Sequence, residues 1–156
     1  MIDDLYSARI LTLAANMAHA GRLDAPAPGV RQGSATRVAK LCGSTATVDV
    51  RLDHQDRIAD FAQTVKACAL GQAAAGVLGE TLEGASVEEI ATARDAMLAM
   101  LKSGGEGPAG RFEGLRVLKQ VADYPARHAS TMVALEAALE AARQAQAERT
   151  SLAGAA

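Results

Sequence analysis

Two short alternating stretches joined by a turn decide the fold of this chain. The first reads Thr47-Val48-Asp49-Val50-Arg51-Leu52, and the second reads Arg57-Ile58-Ala59-Asp60-Phe61-Ala62. Both repeat with period two, the pattern of a β-strand with one buried face. The residues between them, Asp53-His54-Gln55-Asp56, are typical of a turn. The sequence therefore predicts a β-hairpin, with an earlier strand around residues 34–40 beside it.

Helical patterns lie on both sides of these strands. The predicted helices cover residues 3–17, the segment after Cys68, the segment opened by the capping box at residues 86–89, residues 112–120, and a long stretch introduced by Pro125. The small residues on these helices favour close backbone approach. This order predicts an α+β fold, a three-stranded antiparallel sheet with helices packed on one face. We expect one domain over residues 1–147 and a frayed C-terminal tail over residues 148–156.

Composition excludes several classes of function. The chain has 156 residues and a formal net charge of -2, and its 16 Lys and Arg residues are scattered, so nucleic-acid binding has little support. We find no apolar stretch long enough to cross a membrane. The first four residues are acidic where a secretory signal would be basic. Two cysteines are too few for a disulfide framework, which favours a reducing cytoplasm.

The two cysteines flank the predicted hairpin. Cys42 precedes a Gly-Ser pair before the first alternating stretch, and Cys68 follows the second. We expect them to meet at one rim of the sheet, as two soft metal ligands or two redox-capable thiols. Cys68 would also lie at a helix N-terminus, where the helix dipole lowers the pKa of a thiol. The alternative for each is a buried free thiol that acts as a small hydrophobic residue.

A histidine stands near the start of the last helix. A neutral imidazole at His128 could complete a metal site with the two thiolates. The alternative is a partly buried histidine that caps local backbone, and the residues alone do not choose between them. The other catalytic motifs that we considered, including phosphate-binding loops and the zinc-protease motif, do not occur in the sequence.

Three segments carry a resemblance to a known family. They read Leu41-Cys42-Gly43-Ser44, Lys66-Ala67-Cys68-Ala69 and Pro125-Ala126-Arg127-His128-Ala129-Ser130. In this order the chain resembles, from about residue 5 to 142, the U-type iron–sulfur cluster assembly proteins: IscU, SufU and the N-terminal domain of NifU. That family has a Cys-Gly-Asp motif, a second cysteine between the last strand and a helix, and a third cysteine near the start of the final helix. The long spacing between the second and third segments is similar to SufU.

The chain departs from the family pattern at two positions. Ser44 stands where the family has an aspartate, and Ser130 stands where it has the third cysteine. A serine hydroxyl stays protonated near neutral pH and is a weak ligand for soft metals. His128, two residues before Ser130, is the nearest replacement donor.

The resemblance implies a non-enzymatic scaffold or accessory protein for iron–sulfur cluster assembly. A cysteine desulfurase would supply sulfur, and apo iron–sulfur proteins would receive the cluster. Iron or a labile cluster would bind Cys42 and Cys68, the persulfide acceptors, with His128 as a further ligand. Weaker candidates are Ser44, Arg127 and Ser130. The alternatives are a zinc-dependent persulfide acceptor for the desulfurase and an adaptor that keeps the fold without metal.

Overall fold

The computed structural model describes residues 6–155, and the side chains of residues 6–148. The chain forms, in order, α1 (Ala8–Ala15), β1 (Arg31–Ala39), β2 (Ser44–Leu52), β3 (Ile58–Lys66), α2 (Ala69–Thr81), α3 (Val87–Ser103), two 3-10 helices (Gly110–Asp123 and Pro125–Arg127) and α4 (His128–Ala155). The three strands form one antiparallel sheet in the order β1-β2-β3. The predicted α+β fold is confirmed.

The central strand β2 shows why the hairpin forms. Its buried face carries Ala46, Val48 and Val50, which are almost fully excluded from solvent. These residues are spaced by two, as strand geometry requires of side chains on one face. Ser44 has the same phase and is 4% exposed, so β2 turns its hydroxyl toward the covered face of the sheet.

Helix α4 packs across that covered face and contacts β1 and β2. The approach is close because Gly33 on β1 has no side chain: a Cβ there would lie 1.9 Å from the carbonyl oxygen of Ala141. Small residues make up much of the buried side of α4, as the composition predicts. They are Ala134, Ala137, Ala138, Ala141, Ala142 and Ala145. This packing brings the first turn of α4 beside the rim where β2 begins.

The turn between β2 and β3 is held by charged groups. Arg31, only 7% exposed, donates to a carboxylate oxygen of Asp56 at 2.6 Å and also to the backbone carbonyl of Asp53. The carboxylate of Asp53 accepts from the amides of Gln55 at 2.8 Å and Arg57 at 3.1 Å. Every one of these charges has its partner within the turn or on β1.

Several predicted boundaries are corrected. The first helix runs from Ala8 to Ala15 rather than over residues 3–17, because Ser7 caps its N-terminus and accepts from the amide of Ile10; residues 1–5 lie outside the described residues. The predicted helix at 112–120 is a 3-10 helix over Gly110–Asp123. The capping box at Ser86 is confirmed. The domain limit and the frayed tail stay predictions.

Candidate thiol site

Cys42 lies in the tight turn between β1 and β2. Gly43 takes the left-handed conformation, with φ of 72°, and its amide donates to the carbonyl of Ala39 at 2.8 Å. Glycine adopts this conformation without steric cost, which explains the Cys-Gly pair. The turn leaves Cys42 exposed, next to the exposed side chain of Leu41. The thiol is thus open to reagents and to partner proteins.

Cys68 lies at the other end of the hairpin, where β3 gives way to α2. It is the N-cap residue of α2, as the sequence predicts, and it is half-buried. Its backbone is extended, and its side chain makes no capping hydrogen bond to the first turn. The thiol therefore stands beside the free amides of a helix N-terminus, which carry partial positive charge.

Two serine hydroxyls connect the thiols. Hydrogen bonds join Cys42 Sγ to Ser44 Oγ at 3.1 Å, Ser44 Oγ to Ser130 Oγ at 2.8 Å, and Ser130 Oγ to Cys68 Sγ at 3.2 Å. We call these four residues the thiol–serine cluster. Both serines are buried, Ser130 to 1% exposure. The cluster is therefore a continuous chain of polar groups with an exposed thiol at one end and a half-buried thiol at the other.

The pKa of each thiol is lowered from its ordinary value. The Ser44 hydroxyl, with further help from the Ser44 amide and the Ser130 hydroxyl, lowers the pKa of Cys42. For Cys68, burial raises the pKa, but the Ser130 hydroxyl, the amides of Gly71 and Leu70, and the positive charge of Arg127 together outweigh it and lower the pKa below that of an ordinary thiol. Since the thiolate is the form that binds metals and attacks sulfur, a lowered thiol pKa favours both reactions.

Both cysteines line two adjoining cavities. One, of about 250 Å³, is bounded by Leu41, Ala126, Arg127 and Ser130. The other, of about 490 Å³, is more open and is bounded by residues that include Lys66 and Gln72. The thiols therefore separate two spaces, and each space holds one cationic side chain.

The structure does not bring His128 to this cluster. Its Nε2 is 2.9 Å from the carbonyl oxygen of Val121 and 3.3 Å from that of Ala122, and the side chain is 6% exposed. It lines a different groove, together with Arg37 and Met132. His128 thus fastens the start of α4 to the preceding 3-10 helix. Arg127, by contrast, lines the smaller cavity between the cysteines.

The donor set limits which metal the site could keep. Within residues 6–148, no group of three or more His, Cys, Asp or Glu side chains is placed to hold a metal ion. The cluster offers two thiols and two hydroxyls, whereas a structural zinc site takes four thiolate, imidazole or carboxylate ligands. The residues of one chain therefore do not fit resident zinc. They do offer two thiolates to a cargo that brings or finds its other ligands.

Sequence reasoning missed the direct bond between Ser44 and Ser130. It treats both serines as weak ligand candidates and gives no reason for them to meet. One signal was present: Ser44 is in phase with Ala46 and Val48, so its side chain had to point into the covered face of the sheet. The position of Ser130 opposite depends on how α4 crosses the sheet.

The chain is similar to a known protein family and to solved structures. A family model of the NifU-like N-terminal domain matches residues 5–131. A nitrogen-fixing NifU-like protein (N-terminal) from Brucella abortus is 44% identical, with a TM-score of 0.86, over 94% of this chain and 98% of that one. The same fold occurs in a protein from Fervidobacterium islandicum that is described as an iron–sulfur cluster assembly scaffold for the SUF system. The TM-score is 0.73 and the identity 22%, over 88% of this chain and 96% of that one. No curated protein matches the chain.

Proposed function

We propose a function for this chain that follows from its family: the chain belongs to the NifU-like N-terminal domain family. In this proposal it takes part in iron–sulfur cluster assembly by holding iron or a labile cluster on Cys42 and Cys68. The cluster is the cargo of the protein. It is assembled on the thiols and passed on, and the chain acts as a scaffold or accessory protein.

One observation carries this proposal: two thiols from segments far apart in the sequence converge on a single pair of cavities, joined by buried hydroxyls. A free cysteine that only fills a core has no need of an exposed turn or a helix N-terminus. Both cysteines here have lowered pKa values, which supports thiolate chemistry at the site.

The number of thiol ligands decides how tightly the cargo is held. Iron in a cluster is held by thiolates, usually four for each cluster. This chain supplies two, so we infer that the remaining positions are filled by a donor protein, a recipient protein or small thiols. Cargo held by two protein ligands dissociates readily, which suits transfer. We propose a cysteine desulfurase as the source of sulfur and apo iron–sulfur proteins as the recipients.

We place this activity in the cytoplasm, where free thiols stay reduced. None of the helices within residues 6–155 combines the length and the hydrophobicity that a membrane span requires. Zinc-dependent sulfur transfer is not proposed, because the donor set of one chain does not fit a resident zinc ion.

Anaerobic reconstitution tests the proposal. The purified chain is incubated with ferrous iron and sulfide, desalted, and measured for iron content and for visible sulfide-to-iron charge-transfer absorption. We expect absorption in the wild-type protein, and its loss in both Cys42→Ser and Cys68→Ser.

The matched control is Gln55→Ser, which adds a serine at the exposed turn at the opposite end of the sheet and leaves the thiols intact. It should load as the wild-type protein does. Equal loading of all four proteins would show that the iron binds elsewhere and would overturn the proposal. No loading of the wild-type protein would leave the fold as an adaptor without metal.

A further inference from the structure

The thiol–serine cluster is a dithiol as well as a ligand pair. We propose that Cys42 accepts a sulfane sulfur as a persulfide and that Cys68 then resolves it, releasing sulfide and leaving a disulfide between Cys42 and Cys68. This inference rests on the proposed function only for the source of the sulfur. It adds an activity to the site: the conversion of protein-bound sulfane sulfur into the sulfide that a cluster requires.

Access separates the roles of the two thiols. Cys42 is exposed on a tight turn, whereas Cys68 is half-buried between β3 and α2. A persulfide carried on another protein can reach an exposed thiol far more easily than a half-buried one. The first sulfur atom is therefore received by Cys42.

Proximity makes Cys68 the resolving thiol. It borders both cavities that Cys42 borders, and one hydrogen bond separates its sulfur from Ser130, whose hydroxyl is bonded to the Ser44 hydroxyl that meets Cys42. With only two cysteines in the whole sequence, no other thiol of the chain can compete for the persulfide. The disulfide requires the two sulfurs to come into contact, and the exposed turn leaves the Cys42 side chain room to rotate toward Cys68.

The two steps balance. In the first, the Cys42 thiolate attacks the outer sulfur of a donor persulfide; a Cys42–sulfur bond forms, and the donor leaves as a thiolate that takes up the proton given up by Cys42. In the second, the Cys68 thiolate attacks Sγ of Cys42, and the bond to the outer sulfur breaks. That sulfur departs with the electron pair as hydrosulfide and is reduced, while the Cys68 sulfur is oxidised. An external dithiol restores both thiols by exchange.

Arg127 is placed to assist departure of the sulfide. Its side chain lines the smaller cavity beside Cys68, where the remaining walls named above are apolar or hydroxyl-bearing. The leaving group is an anion, and a guanidinium stabilises negative charge. Arg127 thus acts as a positioning residue for the hydrosulfide and does not itself exchange atoms.

A single-turnover assay without iron tests this inference. The reduced chain, freed of reductant, is mixed with glutathione persulfide, and released sulfide is measured alongside the intact mass of the protein. The wild-type chain should release sulfide in proportion to the protein present and end with the mass of an internal disulfide. Cys68→Ser should retain one added sulfur on Cys42, with sulfide release falling to the level of the buffer.

Gln55→Ser is the control, since it lies in the exposed turn at the opposite end of the sheet and keeps the whole thiol–serine cluster, and it should give the wild-type yield of sulfide. Equal sulfide release by wild type and Cys68→Ser would overturn the resolving role, as would an equal loss of sulfide yield in Gln55→Ser. A wild-type chain that takes up no sulfur also overturns the inference. The outcome is separate from the proposed function, because cluster loading from iron and free sulfide needs neither step.

Discussion

The two ends of the sheet differ in how their polar groups are satisfied. At the end formed by the β2–β3 turn, the Arg31 guanidinium pairs with the Asp56 carboxylate and donates to the Asp53 carbonyl. The Asp53 carboxylate accepts from a backbone amide of the same turn. At the other end, Cys42 and Cys68 make their hydrogen bonds to neutral serine hydroxyls, with Arg127 nearby but in no ion pair with them, and both thiols border open cavities.

The charged end of the sheet therefore contributes to stability, and the thiol end contributes to function. A buried charge with its own partner inside the fold has nothing left to offer a ligand, and removing the partner is costly. A thiolate supported by weak hydroxyl donors can exchange those donors for iron or sulfur. The hairpin is therefore fixed at its turn and reactive at its rim, and substitutions at the two ends should have separable effects.

The largest effect is expected at the charged end. Arg31→Met removes the buried guanidinium that donates to the Asp56 carboxylate and the Asp53 carbonyl, so the free energy of unfolding should fall by on the order of 2 kcal/mol, the effect of losing charged hydrogen bonds. Chemical denaturation measures the loss. Arg57→Met, a change at a more exposed arginine of the same turn, should cost less than about 1 kcal/mol. A change in thiol alkylation rate in folded Arg31→Met would break the proposed independence of the two ends.

The next effect is a gain at the reactive end. Ser130→Cys places a third soft donor beside Cys68 without a large change in size, and iron should then be lost to a chelator about tenfold more slowly, since even indirect changes around a metal shift affinity by that factor. The rate of absorbance loss after adding chelator measures this. Ser130→Ala should show no such gain. If Ser130→Cys and the wild-type protein lose iron at the same rate, position 130 does not contribute to iron binding.

A smaller effect concerns Cys42 alone, measured in a Cys68→Ala background. Ser44→Ala removes the hydroxyl that does most to stabilise the Cys42 thiolate, so the pKa of Cys42 should rise and less thiolate should be present at pH 7. Alkylation by iodoacetamide at pH 7 should slow by about threefold, the effect of one modest hydrogen bond. Thr45→Ala, the neighbouring change, should leave the rate unaltered. If the alkylation rate of Ser44→Ala depends on pH as it does with Ser44 present, the role given to this hydroxyl is contradicted.

The smallest effect is a pH dependence at the charged end. Amides of Arg57 and Gln55 lower the pKa of Asp53 from its ordinary value of 3.8. A depressed carboxyl pKa in the folded state gives stability that is complete above the ordinary value and is lost as the pH falls through the depressed one. Asp53→Ala should therefore lower the melting temperature slightly at pH 7, and the difference from wild type should shrink in strong acid. A difference in melting temperature that stays constant with pH would contradict the stabilising role of the ionised Asp53 carboxylate.

Local patterns predicted most of the fold. The strands β2 and β3, the turn between them and the capping box at Ser86 are all confirmed, because each depends on residues within one element. The period-two alternation predicted for β3 is wrong: Ile58 and Phe61 are both buried, because the pairing of β3 with β2 shifts opposite Arg51 and Leu52. Within the described residues, the first helix begins at Ala8 and not at Tyr6 or Ser7, because the Ser7 side chain caps its N-terminus.

The placement of His128 shows where such reasoning stops. Its sequence position near the thiol segments is compatible with a ligand, yet the structure turns its imidazole to the carbonyl of Val121. The direction of a side chain at the start of a helix depends on what precedes and covers that helix. Composition and spacing carry no information about this.

The sequence by itself determined that two cysteines lie at one rim of a three-stranded sheet and that Cys68 begins a helix, since strand period, turn chemistry and helix capping are local. Only the tertiary structure decided that Ser44 and Ser130, 86 residues apart, join the thiols into one chain of hydrogen bonds. That contact arises from the close passage of α4 over a sheet with glycine at the crossing, and its geometry depends on packing across the whole domain.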